Sequence, residues 1–322
     1  MRKLAVCMLV AAATLCGNAL AQEQYPNRLI KLIVPFSPGG GIDILGRTLA
    51  PQLGERLKVP VVVENKPGAS GSIGTETAAK SPADGYTVLV SVNTIIIVPS
   101  LAKSVPYDPV KDFAPVLPLA LGSLSLVVHP SIKVTTVKEF IELAKSRPGK
   151  MNYASPGNGT PHHLAMELFK QRAGIDLVHV PYRGSAGYVT DLIGGQIEAA
   201  FMPIHQALPL VQAGKLVMLA AGGTQRAAVT PNVPSLAEAA EIKDIDVDMW
   251  YAMYLPAGTP KEIVARLNRE VNAILKLPAV ASALSQQGLQ PTGGTPEELG
   301  SLTSNDLARW AKVIRDGKIS GD

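Results

Sequence analysis

Beyond residue 22, short runs of β-branched and aliphatic residues alternate with stretches of helical periodicity. Leu29–Phe36, Val61–Glu64, Thr87–Val92, Leu124–Val128, Met151–Ala154, Leu177–Pro181, Ala199–Met202, Leu216–Ala220 and Met249–Leu255 read as strands. Several are apolar at consecutive positions, as expected of strands buried on both faces. Between them, Val137, Phe140, Ile141 and Ala144 form an i, i+3, i+4, i+7 stripe, and Ile263, Val264, Leu267, Val271 and Ile274 form another. Four pairs fit the reciprocal capping box at a helix start: Thr136 with Glu139, Ser235 with Glu238, Thr259 with Glu262, and Thr295 with Glu298. The alternation predicts an α/β protein with mostly parallel sheets, and no internal repeat interrupts it.

The first 21 residues have a different character. Arg2 and Lys3 precede an apolar run from Leu4 to Leu15, and Ala19-Leu20-Ala21 offers a small-x-small cleavage site before Gln22. The run is shorter than the ~20 residues that span a bilayer, so the segment reads as a secretory signal peptide. Its removal takes both cysteines, Cys7 and Cys16, and leaves no thiol for a nucleophile, a disulfide or a cysteine-ligated metal. It also takes two of the four net positive charges of the 322-residue chain. The remainder has no Lys/Arg cluster of the kind that binds nucleic acid. With 47% hydrophobic and 17% charged residues, the chain is globular and long enough for two domains.

Motifs for chemistry are absent. There is no G-x-S-x-G elbow and no G-x-x-x-x-G-K-[ST] loop, and Gly39-Gly40-Gly41 does not continue as a dinucleotide fingerprint. His162 and His163 are adjacent, a spacing that does not bring two imidazoles to one face of a helix as zinc ligands. No catalytic residues, metal or cofactor are assigned.

Two glycine-rich strand-to-helix turns carry a different chemistry. Pro35-Phe36-Ser37-Pro38-Gly39-Gly40-Gly41-Ile42-Asp43 follows the first strand. Glycines there let backbone amides turn towards a ligand, and the helix start adds free N–H groups and the positive end of the dipole. Asp43 fits an N-cap that holds the loop. Tyr153-Ala154-Ser155-Pro156-Gly157-Asn158-Gly159-Thr160-Pro161-His162-His163 repeats the arrangement in the other half of the chain, with Thr160 suited to N-cap and Pro161 to N1. Two such cradles can grip one anion across a cleft. For His162 and His163 a capping role and ligand contact both stay open. In Pro181-Tyr182-Arg183-Gly184, Tyr182 can wall the site, and Arg183 either pairs a carboxylate or stands as a solvated cation. Trp250 and Tyr251 read as packing residues, and the glycine-rich Asn65–Gly74 turn reads as structural.

These blocks, in order, resemble the periplasmic solute receptors of tripartite tricarboxylate transporters, the Bug family. The resemblance rests on Tyr25-Pro26, Pro35-Phe36 with Gly39-Gly40 and Asp43, Val63-Glu64-Asn65, Asp84-Gly85-Tyr86-Thr87, Tyr107-Asp108-Pro109, Tyr153-Ala154-Ser155, Pro181-Tyr182-Arg183-Gly184, Pro256-Ala257-Gly258-Thr259-Pro260 and Arg309-Trp310. It covers nearly all of the chain after the leader. It implies a two-lobed periplasmic-binding-protein-like fold of type II with two crossing hinge strands, lobe 1 holding residues 22–122 and 248–322 and lobe 2 holding 123–247. It also implies ligand contacts at Phe36, Ser37, Gly39, Gly40, Asp43, Ser155, Gly157, Gly159 and Thr160, with Asn93 at a polar position after a lobe 1 strand. One departure stands out. After Ala199-Ala200-Phe201-Met202, where relatives often carry an acidic or other polar residue, this chain has Pro203. Pro203 cannot meet an ammonium, which points to a non-amino organic acid, aliphatic or aromatic.

The expectation is therefore a non-enzymatic, monomeric periplasmic receptor. It closes on a small di-, tri- or aromatic carboxylate and hands it to membrane permease subunits, without cofactor, metal or nucleic acid. The competing readings are a carboxylate sensor that signals to a membrane kinase, a secreted α/β hydrolase, and a binding fold that has lost its ligand.

Overall fold

The computed structural model describes residues 25–319 except Lys103, Arg183 and Asp244. The proposed leader with Cys7 and Cys16 lies outside the described residues. In chain order the elements that position the cleft are β1 (Ile30–Val34), α1 (Gly41–Leu57), β2 (Val61–Asn65), α2 (Ser72–Ala79), β3 (Thr87–Val92), α3 (Thr94–Leu101), β4 (Phe113–Gly122) and β5 (Leu124–Val128). They continue as α4 (Val137–Ser146), β6 (Asn152–Ser155), α5 (Pro161–Ala173), β7 (Val178–Pro181), α6 (Ser185–Ile193), β8 (Ala199–Pro203), α7 (Ile204–Gln212), β9 (Val217–Ala221) and α8 (Leu236–Ala240). The chain ends through β10 (Met249–Pro256), α9 (Lys261–Leu275), α10 (Pro278–Gln286), β11 (Leu289–Pro291) and α11 (Pro296–Asp316).

Two sheets result. One has the order β11-β4-β10-β3-β1-β2 and the other β7-β6-β8-β5-β9. Strands β5, β8 and β10 are buried along their whole length, which explains their unbroken apolar runs. The helical stripes pack as the periodicity requires: Val137, Phe140 and Ala144 of α4 are buried, as are Ile263, Leu267, Val271 and Ile274 of α9. Fully burying a Val, Ile, Leu or Phe side chain contributes about 1.5–3 kcal/mol relative to exposure.

The sheets are mixed rather than mostly parallel. β1 pairs in parallel with β2 and β3, and β6 with β7 and β8. Every antiparallel pair contains β4, β5 or β10. β3 leads through α3 to β4, and β8 through α7 to β9, each a parallel crossover, but β10 and β5 arrive from the other sheet and insert antiparallel between the members of these pairs. β4 belongs to the first sheet and β5 to the second, with only Ser123 between them, and the chain returns to the first sheet at β10.

β4 was not expected, because Pro115 and Pro118 interrupt its apolar run. Its register against β10 shifts twice, next to the pairs that contain these prolines. β11 covers the other edge of β4 only from Ala120 to Gly122, so neither proline N is required for that ladder. Three of the four expected capping boxes form, at Thr136, Ser235 and Thr295. The fourth does not. Helix α9 starts one residue later with Pro260 at the N-cap, and the Thr259 hydroxyl donates instead to the Pro256 carbonyl at 2.7 Å.

Candidate ligand cleft between the sheets

A cavity of about 390 Å³ opens between the two sheets. From the side of the first sheet it is walled by Phe36–Ile42, by Pro67, Gly68, Ser70 and Gly71, by Val92 and Thr94, and by Met249 and Tyr251. The second sheet contributes Pro156, Thr160–His162, Gly184–Ala186, Pro203 and Gln206. None of the described lining residues bears a charged side chain.

Five helices begin at this wall: α1 at Gly41 and Ile42, α3 at Thr94, α5 at Pro161 and His162, α6 at Ser185 and Ala186, and α7 with Gln206 in its first turn. None has a side-chain cap on its first amides. The three helices with complete capping boxes, α4, α8 and α11, contribute nothing to the wall. First-turn N–H groups have no partner within their own helix, and the dipoles place partial positive charge at the same ends. The described part of the wall therefore favours a bound anion through its backbone N–H groups, with no cationic side chain among the described lining residues.

The loops behind these helix starts are held rigidly from beneath. Asp43 lies in the first turn of α1, where Gly40 is the N-cap, and it does not line the cavity. Its Oδ2 accepts the Gly39 N–H at 2.9 Å and Arg47 Nε at 2.9 Å, and its Oδ1 accepts Asn65 Nδ2 at 2.9 Å. Burial alone would raise the Asp43 carboxyl. The bonds from Arg47, Gly39 and Asn65 outweigh it and hold the group below the usual carboxylate range. Gly39 thus has its amide committed to Asp43, and the uncommitted amides belong to Gly41 and Ile42, ahead of the first intrahelical bond from Asp43 N to Gly40 O.

The second cradle is organised in the same way. Gly157 N–H donates to Ser155 Oγ at 3.2 Å, Gly159 N–H to His163 Nδ1 at 3.1 Å, and the Thr160 hydroxyl to Gly157 O at 2.7 Å. Ser155 is fully buried, with its Oγ 2.8 Å from His179 Nε2. Below it the rings of His163 and His179 stack at 4.0 Å, and Tyr153 covers His179 at 4.7 Å. Burial pushes His163 down to about 4 and His179 to about 3, so the stack is neutral. Ser155, Gly157 and Gly159 therefore stand behind the wall, and of this cradle's expected contacts only Thr160 lines the cavity.

Of the other expected contacts, Phe36, Ser37, Gly39, Gly40 and Pro203 line the cavity. Tyr182 does not, and its hydroxyl donates to Asp191 Oδ2 at 2.5 Å. Arg183 lies outside the described residues. Asn93 is fully buried between lining residues Val92 and Thr94, and neither polar atom of its side chain has a protein partner.

Three features escaped the sequence reading, while His162 takes the wall position that the sequence held open beside a capping role. The Pro67–Gly71 turn, read as structural, forms part of the wall. It carries left-handed backbone at Ala69 and Ser70, between Gly68 and Gly71 which also have positive φ. Tyr251, read as packing, is wedged in the cleft. A Cβ on Gly41 would stand 2.8 Å from its hydroxyl, and one on Gly122 would stand 2.7 Å from its ring. His162 reaches the wall and is not a cap, and both of its ring nitrogens are buried without a protein partner. Gln206 joins it from α7. The signal for Tyr251 was present in the two glycines that make room for it, but these are 81 residues apart and only the fold relates them.

Comparison with known proteins agrees with this architecture. The family model for the tripartite tricarboxylate transporter family receptor matches residues 45–319. The chain belongs to this receptor family. Protein BugT of Bordetella pertussis (strain Tohama I) is 36% identical over 317 residues, covering 98% of this chain and 97% of BugT. An R. palustris protein solved with adipate superimposes with a TM-score of 0.87 at 34% identity, over 92% of this chain and 99% of that one. MatC from Rhodopseudomonas palustris, solved with bound malate, gives 0.82 at 27% identity, over 90% and 100%. The fold of this receptor is accordingly the two-lobed type II periplasmic-binding-protein fold, with the cavity at the junction of its two sheets. No helix among the described residues is long and apolar enough to cross a membrane.

Proposed function

We propose that this receptor captures a small organic carboxylate between its two lobes in the periplasm and delivers it to the permease subunits of a tripartite transporter. The observation that carries the reading is the convergence of five uncapped helix starts on a cavity with no charged side chain among its described lining residues. Backbone dipoles fixed in place meet a carboxylate without reorganisation, and they act strongly in a cleft that excludes water. The adipate and malate bound by the two R. palustris relatives are carboxylates of a size suited to such a cavity.

In this reading residues 1–21 are a removed signal peptide and the product is a monomer. Lobe 1 comprises 22–122 and 248–322, and lobe 2 comprises 123–247. The passage from β4 to β5 at Ser123 and the return into β10 at Met249 support these limits. Phe36, Ser37, Gly40, Thr160 and Pro203 form ligand wall, together with Gly41, Ile42, Ser70, Thr94, His162, Ser185, Gln206 and Tyr251. Asp43, Ser155 and Gly157 position the cradles. The Ser155–His179 pair supports binding rather than hydrolysis, because Ser155 is fully buried and its hydroxyl also bonds Gly157 O at 3.0 Å.

The test is a thermal-shift panel of mono-, di- and tricarboxylates, aromatic acids and amino acids on the chain from Gln22 to Asp322. A ligand at 100 times its Kd adds about 2.7 kcal/mol and raises Tm by several degrees. One class of non-amino acid is expected to respond. A preference for amino acids contradicts the reading of Pro203, and silence across the whole panel contradicts carboxylate capture.

A further inference from the structure

His205 is carried by the half of the molecule that holds the second sheet, yet its ring lies against the other half. It stands in the first turn of α7. A Cβ on Gly41, the first residue of α1, would be 3.5 Å from its Cε1. The ring also meets the backbone of Gln287, between α10 and β11, and a Cβ on Gly288 would stand 3.8 Å from His205 N. His205 is therefore a contact between the halves, placed where the starts of α1 and α7 approach one another. Both helix ends carry partial positive charge.

This position suits a neutral imidazole and not a charged one. Nε2 is buried without a protein partner, so a proton added there meets no acceptor. The groups around the ring offer no compensating negative charge. His162 of α5 is close enough that charge on either ring opposes charge on the other, and burial pushes His162 down to about 3. Tyr251 of β10, whose hydroxyl stands beside Gly41, is kept neutral by burial. Asp43 of α1 is turned to Gly39, Arg47 and Asn65. β5, β8 and β9, which pack on α7, have no titratable side chain, and neither have α10 and β11 across the contact. A hydrogen bond with the Gln287 backbone favours the charged ring, but burial outweighs it and lowers His205.

Separating the halves removes Gly41 and Gln287 from the ring and admits water. A solvated imidazole takes up a proton near pH 6.5. The closed form thus accepts only the neutral ring, whereas the open form accepts both states, and acid shifts the balance towards the open form.

We propose that His205 is a proton-operated latch between the halves: neutral, it lets the cleft close on its ligand, and protonated, it holds the cleft open, so that acidity drives release. The release rests on the carboxylate reading above; the motion does not.

The experiment measures Kd for malate, adipate, citrate and benzoate by calorimetry at pH 7.5 and pH 5.5. It uses the chain from Gln22 to Asp322 and its His205→Gln variant, which keeps a hydrogen-bonding side chain that does not titrate. Tm establishes that the variant is folded. Protonation of the acid and of the other histidines is common to both chains and cancels between them. The neutral fraction of a solvated imidazole falls about tenfold over this range. For an acid that binds, Kd of the unmodified chain is therefore expected to rise about tenfold more than that of His205→Gln. An equal change in both chains overturns the latch and leaves carboxylate capture standing. Failure of all four acids to bind overturns carboxylate capture, and the latch is then decided by the motion alone. Spin labels at Ile73→Cys and Thr190→Cys, exposed positions one in each half, report the distance between the halves in a chain whose own two cysteines precede Gln22. The short distance is expected to lose population at pH 5.5, and to keep it when His205→Gln is added. Distances that are the same at both pH values, or that change equally with His205→Gln, overturn the latch as well.

Discussion

Asp43 shows how much of this site consists of residues that never touch the ligand. Its carboxylate ties together the Gly39 amide, Arg47 and Asn65, while Asn65 Nδ2 also donates to Phe36 O at 3.0 Å. Replacing it leaves the Gly39 amide without its partner and the loop before α1 free to move. Asp43→Ala is expected to lower stability by about 1–3 kcal/mol and to weaken carboxylate binding, read as Tm and as Kd. An unchanged Kd in a folded Asp43→Ala would show that the loop holds its shape without the side chain. At this scale the sequence was informative about loops and less so about contacts. A glycine-rich turn signals amides near a ligand, but it does not say that Gly39, Gly157 and Gly159 commit theirs to Asp43, Ser155 and His163. Those partners are legible only once the helices that carry them are in place.

Among the elements, β6, α5 and β7 are joined by the buried stack of Tyr153, His163 and His179, which supports the second cradle. Both histidines have folded pKa values depressed below the ordinary 6.5, to about 4 and about 3. The unfolded chain therefore binds more protons between these values and 6.5. The stability linked to these neutral rings is fully present above pH 6.5 and is lost as pH falls through that window. Each contributes a slope of about 1.4 kcal/mol per pH unit there. Denaturant unfolding at pH 7 and pH 5 is expected to show the loss, and His179→Asn is expected to flatten it. A pH-independent stability over that range would contradict a buried neutral stack. Periodicity predicted most strands and helices because burial on one or both faces leaves a local trace. It missed β4, where prolines sit at register shifts, and it gave parallel sheets because the chain's crossing from β4 to β5 leaves no local pattern. Thr259 shows the same limit: its box has the right spacing, but the helix starts one residue later.

At the scale of the molecule, the two halves meet across the mouth of the cleft. The Ser70 hydroxyl donates to Asn158 O at 2.7 Å, linking the turn before α2 to the loop before α5. Ser70 and Ala69 both have left-handed backbone, an arrangement that costs free energy and persists only where its surroundings enforce it. In a hinged receptor this bond belongs to the closed form. Ser70→Ala is expected to weaken ligand binding by about tenfold or less, matching a net hydrogen bond of about 1 kcal/mol, with little change in the Tm of the unliganded chain. A loss of Tm without a loss of affinity would make the contact structural.

In the proposed function, fixed backbone dipoles hold the carboxylate, with no cationic side chain among the described lining residues, and the role of the ligand's charge is the point to test. It is tested most directly by calorimetry of the best acid from the panel beside its methyl ester and its primary amide, which keep the shape and remove the charge. The acid is expected to bind, and both neutral analogues are expected to lose at least a hundredfold in affinity. Binding of the ester or the amide within a few-fold of the acid would contradict it.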